Sequence, residues 1–129
     1  MELTREDALR AYARMLNTLD IEHFAPLVAD DFVYESQSML TPLVSREAFM
    51  DYMVRKLQTI EREKTTVFAE MGMVTAYGNY QPCVILAQFE KSNLEALALA
   101  EVAGDRVRRI DLCIVPPPRT AERSGEYPV

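Results

Sequence analysis

The sequence predicts an α+β fold in which three N-terminal helices pack on a curved, mainly antiparallel sheet that forms a cone-shaped pocket. Apolar residues recur at helical spacing through the first half of the chain, whereas apolar runs separated by short turn signals fill the second half. Helices followed by a meander of strands are typical of this class. The length of 129 residues suits one domain with a core of its own.

Three helices are predicted before the sheet. Thr4 with Asp7 resembles a capping box, and it precedes an apolar face of Leu9, Tyr12, Ala13, Leu16 and Leu19. Asp20 can cap a second helix, but Pro26 lies inside it, so we expect that helix to be short or distorted. Ser45 can cap the third helix, whose apolar face comprises Phe49, Tyr52, Met53, Leu57 and Ile60.

The strands are predicted from alternation and from the turns between them. Phe32, Tyr34 and Ser36 alternate with more polar neighbours, and later strands are predicted over 65–74, 81–90, 94–102 and 106–115. Prolines 116–118 end the last strand. We therefore predict one domain over 1–117 and a tail over 118–129 that lies on the surface or on a partner subunit.

Several strands are apolar on both faces, as in the run from Cys83 to Phe89. A sheet buried on both sides needs a second cover beyond the helices. The sequence therefore predicts a homodimer formed through the outer face of the sheet.

Composition excludes several classes of function. The net charge of −6 opposes nucleic-acid binding, and no apolar run is long enough for a membrane span. The charged N-terminus is not a signal peptide, and Cys83 and Cys113 occur singly in apolar runs, so we expect buried free thiols and a cytoplasmic location. His23 is the only histidine, and no metal, phosphate-loop or nucleotide motif occurs, so no cofactor or metal is expected.

The segment YARMLNTLDIEHFAPLVADDFVYES resembles the first helices and first strand of the nuclear transport factor 2-like superfamily. The resemblance rests on Tyr12, on Leu16-Asn17, on Asp20 and on Ala29-Asp30-Asp31, and the order of elements extends it over most of the chain. It implies the cone fold and a dimer, together with relatives that include ketosteroid isomerases and SnoaL-like polyketide cyclases. Asp30 and Asp31 then mark a helix end and a strand start, where neighbouring side chains point opposite ways.

The resemblance also implies that steroid isomerisation is absent. Ser36 occupies the position of the isomerases' general-base aspartate, and a serine hydroxyl is not basic enough for that step. In the isomerases a tyrosine and a protonated aspartate together form the oxyanion hole. Tyr12 matches that tyrosine, whereas the protonated aspartate corresponds to the neighbourhood of Leu97.

We expect the cone to bind a small apolar or aromatic ligand. The residues predicted to line it are Tyr12, Met15, Leu16, Tyr34, Ser36, Met39, Phe49, Tyr52, Met53, Leu97, Ile110, Leu112 and Ile114.

Two alternatives stay open at this point. Arg109 and Asp111 could act with Tyr12 in an enzyme of the polyketide cyclase, epoxide hydrolase or isomerase kind, if they face the cone. The resemblance instead implies that Ile110, Leu112 and Ile114 face the cone, so that Arg109 and Asp111 face outward, toward a dimer partner, and we favour this interpretation. A slip of one residue in register at the Gly104 turn would exchange the two faces. A partner-binding module with a filled pocket is the other alternative.

Overall fold

The computed structural model describes residues 2–129 and confirms the α+β class. Its α-helices are α1 (Arg5–Thr18) and α2 (Arg46–Arg62). The strands are β1 (Val28–Ser36), β2 (Val67–Ala76), β3 (Asn79–Gln88), β4 (Leu94–Ala103), β5 (Arg106–Cys113) and β6 (Glu122–Arg123). Neither α-helix of the described chain combines the length and the apolar character needed to cross a membrane.

The strands form one six-stranded sheet in the order β1-β5-β4-β3-β2-β6. β1 runs parallel to β5, and every other neighbouring pair is antiparallel. Register shifts interrupt the β3–β4 pairing after Leu86 and the β4–β5 pairing after Glu101. Such irregularities bend strands, which is how a sheet curves around its contents. We call the face covered by α1 and α2 the inner face and the opposite one the outer face.

Polar side chains cap the N-termini of both α-helices, as the sequence predicts. The Thr4 hydroxyl accepts a hydrogen bond from the Asp7 amide, and the Ser45 hydroxyl accepts one from the Ala48 amide, each at 3.0 Å. These caps satisfy amides that have no partner within the helix. α1 ends at Thr18, and the next residue, Leu19, adopts the left-handed conformation with a φ of 57°.

The predicted second helix is reduced to two consecutive 3₁₀ turns, over Ile21–His23 and Ala25–Leu27. Pro26 lacks the amide hydrogen that a longer helix would require. Side chains from elsewhere bind the carbonyls of this segment, since Arg46 donates to Ala25 at 3.1 Å and Arg106 donates to Pro26 at 3.0 Å. The short segment is therefore held by tertiary contacts.

An aromatic cluster forms the centre of the inner core. The Phe24 ring contacts Tyr12, Phe32 and Phe49 edge-on, at centroid separations of 5.5, 6.2 and 5.9 Å. Tyr34 lies 5.3 Å from Phe49. All of these side chains are fully buried, so this cluster joins α1, the 3₁₀ turns, β1 and α2.

The outer face is covered by the chain itself. Residues 114–129, which we call the C-terminal segment, leave β5, form a 3₁₀ turn packed on β4, and end beside β2. Ala121 packs against a buried outer cluster of Val74, Ala76, Cys83, Ile85, Leu97, Leu99 and Cys113. The second cover that the apolar strands require is thus at least partly intramolecular, and the predicted tail lies on its own domain.

Polar contacts fasten the end of the C-terminal segment. Glu70, only 3% exposed, accepts hydrogen bonds from Arg123 at 2.7 Å and from the Gly125 amide at 2.8 Å. Glu126 pairs with Arg10 of α1 at 2.8 Å. Asn17 donates to the Pro128 carbonyl while bonding both backbone groups of Ala69, which ties α1, β2 and the C-terminus together.

We predict that Gly72→Ala destabilises the fold by about 1–3 kcal/mol, the range for an overpacked site. A Cβ at Gly72 would lie 2.6 Å from the Glu122 carbonyl oxygen and 2.8 Å from Ile85 Cδ1, so the C-terminal segment would have to move. Urea unfolding measures the change. Thr75→Ala, on an exposed position of the same strand, is the control and should change stability by less than about 0.5 kcal/mol. Equal stabilities for the two variants would contradict the packing described here.

Candidate functional site

A cavity of about 210 Å³ lies on the inner face, between the two helices and strands β2 to β5. Its lining is mostly apolar and comprises Tyr12, Leu16, Lys56, Ile60, Val67, Leu86, Ala87, Gln88, Glu95, Ala96 and Leu112. The register shift after Leu86 explains why consecutive residues of β3 reach the same space. The cavity is therefore a small apolar chamber with polar groups at a few points, the usual composition of a small-molecule site.

Three tyrosines form a cluster next to this cavity. The Tyr34 ring lies 5.6 Å from the Tyr52 ring, and the Tyr34 phenol is also adjacent to that of Tyr12. The Tyr34 hydroxyl is buried and has no hydrogen bond of ordinary geometry with any described residue. A buried hydroxyl left unpaired costs about 1–3 kcal/mol, which makes this group the most unusual polar atom of the core.

Burial keeps two of these phenols protonated. Burial raises the pKa of Tyr12 well above its usual value. Burial, followed by the proximity of Tyr12 and Tyr52, raises the pKa of Tyr34 further. Both groups are consequently hydrogen-bond donors throughout the physiological pH range, and neither can serve as a general base there.

Most of the residues predicted to line the cone lie on the inner side. Tyr12, Leu16 and Leu112 line the cavity itself. Five others are buried in the inner core without lining the cavity: Met15, Tyr34, Phe49, Met53 and Ile110. Tyr52 and Met39 are partly buried against the same core.

The other predicted lining residues lie elsewhere. Leu97 belongs to the outer cluster, and Ile114 is 51% exposed after the end of β5. The prediction for Leu97 is corrected because its neighbours along β4 alternate between the faces, and the odd-numbered positions pair with the outer side of β5. Ser36 is buried, its hydroxyl bonds to that of Ser38 at 2.9 Å, and it lines the cleft beside Arg109 instead of the inner cavity.

Several residues that line the cavity are absent from the set predicted from the sequence. Lys56 follows Tyr52 by one helical turn, so the spacing of the apolar face could have indicated it. Gln88, Glu95 and Ala96 come from the β3–β4 hairpin, whose position over the cavity depends on the curvature of the sheet. A groove along α2 shares Lys56, Ile60 and Gln88 with the cavity. We call the place where these residues join the groove to the cavity the mouth of the cavity.

Arg109 and Asp111 lie on the outer face. The Arg109 Nε donates to both carboxylate oxygens of Asp111, at 2.9 and 3.0 Å, and a terminal nitrogen of Arg109 pairs with Glu35. Burial raises the pKa of Asp111, against the opposing effect of the Arg109 guanidinium. A cleft of about 310 Å³ adjoins this pair and includes Gln37, Tyr77 and Cys113.

Tyr12 and Asp111 are thus separated by the sheet. Ile110, between Arg109 and Asp111, is part of the inner core, which fixes the outward direction of its neighbours. Tyr12 packs on the inner face. One bound molecule cannot contact both groups, so the alternative in which Tyr12 and Asp111 form a joint acid–base site does not hold, and Asp111 has the outward direction that the sequence favours.

The remaining candidates have structural explanations. Asp30 and Asp31 are both exposed, and Asp31 pairs with Arg108. Cys83 and Cys113 are buried free thiols, and burial raises the pKa of Cys83 to about 12. Within residues 2–129, no group of three or more histidine, cysteine or acidic side chains is arranged to hold a metal ion.

Comparison with solved structures decides the fold. An NTF2-like protein of unknown function from Cytophaga hutchinsonii superimposes with a TM-score of 0.59 at 13% identity, over 90% of this chain and 96% of that one. A candidate polyketide cyclase from Sinorhizobium meliloti gives 0.58 at 11% identity, over 83% and 94% of the two chains. The chain has the nuclear transport factor 2-like fold.

A candidate ketosteroid isomerase from Kribbella flavida shares this fold, with a TM-score of 0.58 at 18% identity over 84% of this chain and 76% of that one. No family model matches the sequence, and no curated protein matches it either. Identities this low establish the shared architecture alone, because this kind of scaffold hosts unrelated activities. Function must be argued from the cavity.

We predict that the free energy of unfolding falls as the pH rises above about 10, the pKa of an unfolded tyrosine. The raised folded pKa of Tyr34 means that the unfolded chain loses this proton first, so the stabilisation is complete below pH 10 and declines above it. Removing the group in Tyr34→Phe should lessen the decline by up to about 1.4 kcal/mol per pH unit. Urea titrations at pH 9, 10 and 11 measure this, and identical slopes for the two proteins would contradict the burial of the phenol.

Proposed function

We propose that this protein binds a small apolar or aromatic molecule in its inner cavity, with the phenol of Tyr12, which Tyr34 adjoins, as the hydrogen-bond donor to the ligand. A cytoplasmic location is part of the proposal, because single free thiols such as those of Cys83 and Cys113 are typical of proteins in a reducing compartment.

The pair of buried phenols formed by Tyr12 and Tyr34 is the observation that supports binding most directly. The Tyr34 hydroxyl lies beside the phenol of Tyr12, and Tyr12 lines the cavity. When the Tyr34 hydroxyl donates to the Tyr12 oxygen, the Tyr12 hydrogen is left for a ligand oxygen in the cavity, and neither buried donor is without a partner. An apolar ligand body would at the same time contact Leu16, Ile60 and Leu86.

The volume limits the ligand to about one ring. An apolar cavity of about 150 Å³ already accommodates benzene, whereas drug-sized ligands need roughly 300 Å³ or more. At about 210 Å³ the cavity fits a substituted single ring or a short branched aliphatic chain. A tetracyclic steroid exceeds it, which agrees with the absence of a general base at Ser36.

We predict that a one-ring phenol such as para-cresol binds, and that Ala96→Met abolishes this binding by filling the cavity. Ala103→Met is the matched control, because Ala103 is exposed at the end of the same strand. Tyr12→Phe should weaken binding by about tenfold, the loss of one hydrogen bond, while changing stability by less than about 1.5 kcal/mol. Isothermal titration calorimetry measures affinity, and urea unfolding measures stability.

Binding that survives in Ala96→Met, or that is lost equally in Ala103→Met, would place the ligand outside the cavity. The absence of any binding across a panel of one-ring phenols, ketones and acids would instead favour a partner-binding module with a filled pocket.

We also propose a homodimer through the part of the outer face beside Arg109, where the C-terminal segment begins. Exposed Tyr77, Ile114 and Val115 lie at one end of this area, and Gln37 links Tyr77 to Val115 by hydrogen bonds. The positive charge of Arg109 lies between the negative charges of Glu35 and Asp111. A surface that pairs with a copy of itself requires both signs of charge.

We predict a dimer mass by light scattering at micromolar concentration, and a monomer for Ile114→Glu. Val44→Glu, at an exposed position in the loop before α2, should leave the mass unchanged. A monomeric parent protein would refute the proposed dimer.

A further inference from the structure

Among residues 2–129, one cationic side chain lies at the mouth of the cavity. Lys56 is partly buried, lines both the cavity and the groove along α2, and is the only lysine or arginine in the cavity lining. It has no ion-pair partner among the described residues, whereas its neighbour Arg55 pairs with Asp51. The Lys56 Nζ lies 5.8 Å from the centroid of the Tyr52 ring, which directs the ammonium along the tyrosine cluster.

The other polar groups of the mouth differ from Lys56 in their surroundings. The Gln88 side chain is partly buried and makes no hydrogen bond within residues 2–129, so its amide is available to a ligand. Glu95 is exposed to solvent, and its carboxylate faces the Asn93 amide at 3.4 Å. Solvent screens the exposed Glu95 charge more strongly than the partly buried Lys56 charge, so an anion is favoured over a cation at this point.

We infer that the cavity selects small aromatic acids, whose ring hydroxyl oxygen accepts from Tyr12 and whose carboxylate binds Lys56 and Gln88 at the mouth. This inference rests on the proposed function and adds the chemical class of the ligand. The two ends of such a molecule match the two polar regions of the site, and its ring matches the apolar lining between them. The Lys56 ammonium supplies three donors to a carboxylate, and its long apolar stem packs along the cavity wall.

Calorimetry with para-hydroxybenzoate and its uncharged analogue para-hydroxybenzamide tests the inference. In the parent protein the acid should bind about fivefold to tenfold more tightly, the range for a charged contact at a partly exposed position. Lys56→Gln should remove this preference while leaving the affinity for the amide unchanged. Glu95→Gln should strengthen binding of the acid, and added salt should weaken binding of the acid alone.

Arg55→Gln is the matched control, because Arg55 is the preceding, exposed cation of the same helix and is already paired. Equal binding of acid and amide in the parent protein would overturn the inference and leave the proposed function standing. A preference for the acid that persists in Lys56→Gln would also overturn it, since another group would then bind the carboxylate. If neither compound bound, the inference would be overturned, and so would the proposal that the cavity binds para-hydroxy aromatic ligands.

Discussion

The structure depends on covering a sheet that is apolar on both faces. The helices and the aromatic cluster around Phe24 cover the inner face, and the C-terminal segment covers the outer cluster around Leu97 and Cys83. Burying apolar surface is the main favourable contribution to folding, so the chain requires both covers. The buried carboxylate of Glu70, bonded to Arg123 and Gly125, shows how tightly the second cover is attached.

Double coverage also determines where a ligand can bind. On the outer face the C-terminal segment packs directly on the strands, and the space that is left is a cleft lined by charged and polar groups around Arg109. On the inner face the curved sheet diverges from α1 and α2, and the helices do not fill the gap. An apolar chamber adjoining a buried, unpaired phenol is consequently confined to the inner side, beside Tyr12 and Tyr34.

The inner side of the sheet offers a hydrogen-bond donor to a bound molecule. Tyr12 provides a protonated phenol in the cone, but Ser36 bonds to Ser38 and Leu97 faces the outer cluster. A phenol that stays protonated can donate a hydrogen bond, yet it cannot remove a proton from a substrate. Selective binding needs only the donor and a fitting shape, which is why binding is the function that the cavity supports best.

The sequence by itself determined the elements and the fold class, because caps at Thr4 and Ser45, the proline in the second helix and the turns at Gly78 and Gly104 act through local geometry. Most of the predicted lining residues lie on the inner side for the same reason, since helical periodicity identifies a buried face. Tertiary structure decided the rest. When both faces of a strand are apolar, alternation does not identify the inner face, so the directions of Leu97 and Asp111 depended on the register of the sheet. The polar composition of the C-terminal segment likewise does not indicate that this segment packs on its own sheet.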